Sequence, residues 1–223
     1  MSFSTLVSDA WFVLRKHYLS MFLLFLPSLL FSLLLSSNLE VDPEQLMQLE
    51  VPTSFWLWML GNLLISFWAQ LAIYRYVWDQ VKDQPQSSLV GYYARSLSIL
   101  PILVLSMMLV SVMVGLGLML FIIPGLYLFF RFWLVMPVIA LEDTNPLAAI
   151  ARSWKLTSGN GLLFMALWGA IIVFFVISGI IEGLLAQLGV PLFTLLFSSL
   201  TSLIFALMYL LISLRVYDAQ LDQ

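Results

Sequence analysis

Apolar residues run through this chain in long blocks, and the polar ones gather between them. Six blocks come near or exceed the roughly 20 residues that carry a helix across a bilayer: about 18–37, 55–78, 97–120, 125–141, 162–187 and 192–214. The fourth is the shortest, and only Ile122-Ile123-Pro124-Gly125 stands between it and the third. One long helix over 97–141 is the alternative reading. Proline cannot extend a helical hydrogen-bond ladder and glycine permits a sharp reversal, so the Pro-Gly pair predicts a tight turn and a hairpin.

The segments before the odd-numbered blocks share a pattern. Val7, Ala10, Trp11 and Leu14 form an i, i+3, i+4, i+7 stripe, as do Val90, Tyr93, Ala94 and Leu97, and again Leu147, Ile150, Ala151 and Trp154. Ala94-Arg95-Ser96-Leu97 also aligns with Ala151-Arg152-Ser153-Trp154. A stripe of this spacing beside basic residues describes a helix lying in the membrane interface. For the third, Asn145 suits the N-cap, Pro146 the first helical position and Gly159 the C-terminal stop. The expected fold is therefore an all-α integral membrane protein with six transmembrane helices and amphipathic interfacial helices. Its single membrane domain, 1–223, divides into three helix-hairpin repeats of about 4–78, 87–141 and 145–215. The competing view is that any short cytoplasmic connection in a multipass protein tends to be basic and amphipathic.

Composition agrees: 62% of the 223 residues are apolar, 9% are charged, and mean hydropathy exceeds +1. A soluble domain carries about a quarter charged residues. Charge placement gives the sidedness. With six spans and both termini inside, every Lys and Arg except Arg131 falls on the cytoplasmic side, while 38–54 holds Glu40, Asp42, Glu44 and Glu50 and no basic residue. That is the positive-inside bias. The first block is longer than a signal-peptide core and lacks a small-residue cleavage site, so it is expected to be a retained anchor.

Arg131 is the sharpest chemical feature. It lies about six residues past the Pro-Gly corner, roughly 9 Å into its span at 1.5 Å per residue. A cation at that depth needs a partner or a polar cavity. Glu182, at similar depth in the fifth block within Gly179-Ile-Ile-Glu182-Gly183, is the natural candidate. The pair would hold an anionic headgroup or move a proton; alternatively it fixes helix packing, or Arg131 snorkels to headgroups alone. Asn62 and Gln70 read as interhelical hydrogen-bond groups, and Pro27 and Pro137 as kinks. Arg152 and Lys155 form a basic interfacial pair worth about 2 kcal/mol at an anionic surface, enough for docking and too little for lipid recognition. Cysteine is absent, the only histidine, His17, lies beside Arg15 and Lys16, and no catalytic or phosphate-binding motif occurs. No enzyme, cofactor, metal site or nucleic-acid partner is expected.

Pro124-Gly125, Arg131, Pro137, Glu142, Pro146-Leu147, Ala151-Arg152-Ser153-Trp154, Leu156 and Gly159 together resemble a bacterial membrane-protein pattern. It is that of the YciC-like inner-membrane proteins, related to the membrane domain fused to some glycerophosphodiester phosphodiesterases. The resemblance implies a multipass inner-membrane domain near glycerophospholipid chemistry. It does not imply phosphodiesterase activity, which resides in a separate soluble domain whose metal site has no counterpart here. The expected function is thus a non-enzymatic membrane module that handles lipid or scaffolds membrane-protein partners in envelope homeostasis. A small transporter or channel for an anionic or amphiphilic solute is the alternative.

Overall fold

The computed structural model describes residues 3–38, 52–84, 87–158 and 161–221. The acidic segment at 39–51, Gly159, and the side chains of Val7 and Ala10 lie outside the described residues. Among the described residues every regular element is helical: α1 Phe3–Asn38, α2 Thr53–Val81, α3 Leu89–Leu120, α4 Ile122–Arg131, α5 Val135–Glu142, α6 Pro146–Leu156, α7 Gly161–Gln187 and α8 Pro191–Leu221. Five stretches are long and apolar enough to cross a membrane: Trp11–Ser32, Thr53–Val81, Leu89–Leu120, Ile122–Glu142 and Leu200–Gln220. Ile171–Gln187 is a shorter apolar helix. By its helix composition the chain is a multipass membrane protein.

The chain packs as two compact units. One comprises His17–Leu109 and Met136–Ala149. In it, Ser28 and Ser66 share a hydrogen bond of 2.9 Å between α1 and α2, and Phe31 lies 5.3 Å from Trp58. Trp68 donates to the carbonyl of Tyr93 at 2.8 Å, while the Tyr93 hydroxyl reaches back to the carbonyl of Leu24. Hydroxyls and the Trp68 indole thus tie α1, α2 and α3 together. Asn62, expected to serve there, keeps its side-chain oxygen buried without a partner among the described residues.

Arg75, near the end of α2, donates to the carbonyl of Ala140 at 2.9 Å and pairs with Asp143. A cation on the last carbonyls of a helix offsets the groups its C-terminus leaves unpaired. Asp143 follows α5 with φ at 47°, the left-handed conformation that ends helices. Asn145 then caps α6: its side-chain oxygen accepts from the Ala148 N–H at 2.9 Å, with Pro146 in the first helical position.

The other unit comprises Met1–Lys16, Val110–Val135 and Ile150–Gln223. Here α7 and α8 meet through an aromatic ladder in which Phe175 and Phe205 lie 4.4 Å apart. Phe205 continues to Tyr209, which lies 5.8 Å from Trp133. Among the described residues, nothing lies within 4 Å of where a side chain would start on Gly179 or Gly183, so no described helix seats on them.

Two sequence expectations are corrected in detail. The reversal between the third and fourth blocks is at Phe121, the one extended residue between α3 and α4, and not at Pro124-Gly125. Pro124 sits inside the first turn of α4, where its missing N–H costs nothing. Gly125 serves close approach: it faces Gly117, whose added Cβ would lie 2.9 Å from the Gly125 Cα.

The third stripe forms a helix of its own, and the non-helical kink at His17 sets the first apart from the rest of α1. The second is instead the opening of α3, continuous with its span. In both the second and third, the expected stripe is partly the outward edge. Val90 and Leu97 are exposed, as are Leu147 and Trp154, whereas Tyr92, Ser96 and Ile99 are buried in the same register as Ala149, Ser153 and Leu156.

Pro137, expected as a kink, breaks the fourth block in two. If the helix continued, its ring would collide with the carbonyl of Trp133. The chain instead tightens over 132–134, where Trp133 and Val135 donate to Phe130 and Phe132 at 3.5 and 3.1 Å.

Candidate functional site

The break ahead of Pro137 creates the site. Because the Val135 N–H goes to Phe132, the carbonyl of Arg131 loses the donor that an unbroken helix supplies. The Ser153 hydroxyl replaces it at 2.8 Å. Thr157 stands by: its hydroxyl lies 2.8 Å from the Ser153 carbonyl and 3.2 Å from that of Arg131, and its one proton serves one of them. Ser153 and Thr157 are one helical turn apart and both are buried, so the end of α6 is built to seal the open end of α4.

The Arg131 side chain turns towards the same place. Its Nε donates to the Tyr127 hydroxyl at 3.0 Å, and Nη1 to the Trp154 carbonyl at 3.3 Å and the Thr157 hydroxyl at 3.5 Å. The guanidinium also lies over two rings, 4.4 Å from the centre of Trp154 and 5.3 Å from that of Tyr127. Those rings meet edge to face at 5.9 Å. Aromatic faces attract a cation by about 0.5–2 kcal/mol each, more as water is removed. Planar arginine suits such a cradle better than lysine.

The cradle neutralises none of the charge. Every partner of Arg131 is a hydroxyl, a carbonyl or a ring, and no described carboxylate pairs with it. Its second terminal nitrogen, Nη2, has no hydrogen bond among the described residues. The Arg131 side chain is half-buried.

The structure does not bring Arg131 and Glu182 together. Glu182 is half-buried on α7 and makes no ion pair among the described residues. Depth matching along two helices says nothing about which faces they present, and that is what the sequence lacked. Of the other motif residues, Pro124 and Gly125 build the hairpin, Pro137 sets the break and Ser153 caps it. Glu142 and Lys155 are exposed, and Arg152 is half-buried. Tyr127 and Thr157 were not singled out in advance. Tyr127 had a signal: it precedes Arg131 by four residues, one turn along the same helix face.

The chain matches no family model, no curated protein and no solved structure.

Proposed function

We propose that this protein is a non-enzymatic module of the bacterial inner membrane that holds an anionic phospholipid, with the Arg131 guanidinium on the headgroup phosphate. The observation that carries this reading is a caged arginine whose Nη2 has no hydrogen bond, and whose charge has no counter-carboxylate, among the described residues. Hydrocarbon does not tolerate such a charge, and an anion presented at the membrane face satisfies it. Arginine binds phosphate through parallel N–H groups in the plane of its fork, and Nη2 remains available for that geometry. Lys155, exposed on the same helix end, adds positive charge nearby. The α4 residues Ile122, Ile123, Leu126 and Phe129 offer exposed apolar surface for an acyl chain over a 10-residue helix, about 15 Å long.

The topology proposed with it has six apolar segments in three hairpins and both termini cytoplasmic. The positive-inside distribution supports it, as does the common buried register of Tyr92-Ser96-Ile99 and Ala149-Ser153-Leu156. Membership of the YciC-like group, proposed from the Pro124–Gly159 motif, adds a setting in envelope lipid homeostasis.

Ligand-linked stabilisation tests the site. A ligand that binds only the folded state adds about 2.7 kcal/mol at a hundredfold excess over Kd. In an uncharged detergent, phosphatidylglycerol should raise the unfolding temperature of the wild type and phosphatidylcholine should do so less. Arg131→Gln should lose the difference, and Arg131→Lys should keep part of it. Equal phosphatidylglycerol shifts in wild type and Arg131→Gln would sink the proposal. An equal shift with inorganic phosphate alone would reassign the site from a lipid to a free anion.

A further inference from the structure

Beside the Arg131 guanidinium stands a second hydrogen-bond donor. Tyr127 precedes Arg131 by one turn of α4, and its hydroxyl accepts from Nε at 3.0 Å. A hydroxyl that accepts still holds a proton of its own. Nothing among the described residues accepts that proton, and Tyr127 is 50% exposed. Two other tyrosine hydroxyls donate theirs, Tyr93 to the carbonyl of Leu24 and Tyr92 to the Asp79 carboxylate at 2.9 Å. Tyr92 also accepts from the Ser87 N–H at 3.4 Å, so it stands between a nitrogen donor and an anion. Tyr127 repeats the first half of that relay, with Arg131 as the nitrogen donor.

The covalent shape of arginine sets where the other half falls. The planar guanidinium carries five N–H groups, and the Nε–H points the same way as one N–H of Nη2, forming an edge of the fork. The Tyr127 oxygen occupies the Nε half of this edge. Nη1 is turned to the Trp154 carbonyl and the Thr157 hydroxyl at 3.3 and 3.5 Å. An oxyanion on the Nη2 half therefore lies next to the Tyr127 hydroxyl. A hydroxyl that accepts from a cation is polarised to donate more strongly. Its ring is fixed for this role, 5.3 Å from the guanidinium and edge to face with Trp154 at 5.9 Å.

The same helix face continues to Ile123, four residues before Tyr127 and 80% exposed. Along that face α4 runs apolar, hydroxyl, cation. A phospholipid presents its acyl chain and phosphate in the same order.

We infer that Tyr127 is a ligand of the phosphate as well as a support for Arg131: its hydroxyl accepts from Nε and donates to the oxyanion that Nη2 holds. This inference rests on the phosphate reading of Arg131.

Tyr127→Phe removes the hydroxyl and keeps the ring. The full chain in an uncharged detergent is titrated with short-chain phosphatidylglycerol, beside Tyr127→Phe and Arg131→Gln. The Kd of Tyr127→Phe should rise about tenfold, the effect of losing one hydrogen bond to a charged group. Its unfolding temperature without lipid should stay near that of the wild type. An unchanged Kd would overturn the inference. Tighter binding would overturn it too, since a bared Nε–Nη2 edge that holds phosphate better shows Tyr127 to be a competitor. Arg131→Gln separates the two levels. Wild-type affinity in that variant refutes the phosphate reading itself, whereas loss there with an unchanged Tyr127→Phe refutes only the role of Tyr127. The same tenfold ratio with inorganic phosphate would support Tyr127 as a ligand and make the source a free anion. Raman difference spectra of the wild type give an independent readout, because the tyrosine doublet distinguishes a hydroxyl that accepts from one that donates. Phosphatidylglycerol should move it towards the donor form, and a doublet unchanged at saturating lipid would overturn the inference even if Tyr127→Phe fails to fold.

Discussion

Gly125→Ala should destabilise the protein by about 1–3 kcal/mol, the usual cost of forcing an extra methyl into a filled site. Gly115→Ala, ten residues earlier, should not. At Gly125 a Cβ would run into the Leu118 side chain and lie 2.6 Å from the Leu118 backbone nitrogen. A side chain can swing aside; the nitrogen moves only if α3 moves. At Gly115 the same atom meets nothing within 4 Å. There alanine brings its better helix propensity, up to about 1 kcal/mol, with no clash. The two substitutions are chemically identical and should shift thermal unfolding in opposite directions. Equal effects would mean that Gly117 and Gly125 do not hold the hairpin closed.

Arg75→Ala should likewise cost more than Asp143→Ala, although both break the same ion pair. The Arg75 side chain is 16% exposed and also serves the carbonyl of Ala140 at 2.9 Å. Its removal leaves an acceptor at the end of α5 without its donor, a loss of about 1–3 kcal/mol. The Asp143 side chain is 62% exposed and can rehydrate. Alanine there keeps Arg75 on Ala140, and exposed pairs contribute at most about 1 kcal/mol. Asp143→Gly separates the remaining effect, because φ at 47° suits glycine and that variant removes the charge while relieving the backbone. Denaturation of the three variants should rank Arg75→Ala as least stable and Asp143→Gly closest to wild type.

The sequence disclosed the class of fold because hydrocarbon demands long apolar helices and leaves few alternatives. It also disclosed Asn145 as a cap and Arg131 as an outlier, both of which depend on local chemistry alone. It misplaced the corner by three residues because Pro124 suits the first turn of a helix as well as it suits a turn. Pro137 was legible as a kink. That the break would free the Arg131 carbonyl, and that Ser153 would answer it, required α6 to fold back beside α4. Glu182 misled for the same reason. A deep acid and a deep base along two helices look like a pair until their faces are known, and here rings and hydroxyls hold the base instead.

Native mass spectrometry of the protein extracted in mild detergent, beside Arg131→Gln, is the most direct test that Arg131 carries an anionic lipid. The expected result is wild-type protein bearing a phospholipid adduct that is absent from Arg131→Gln, with both variants folded. Wild type released bare, or an adduct of equal abundance on Arg131→Gln, would contradict it.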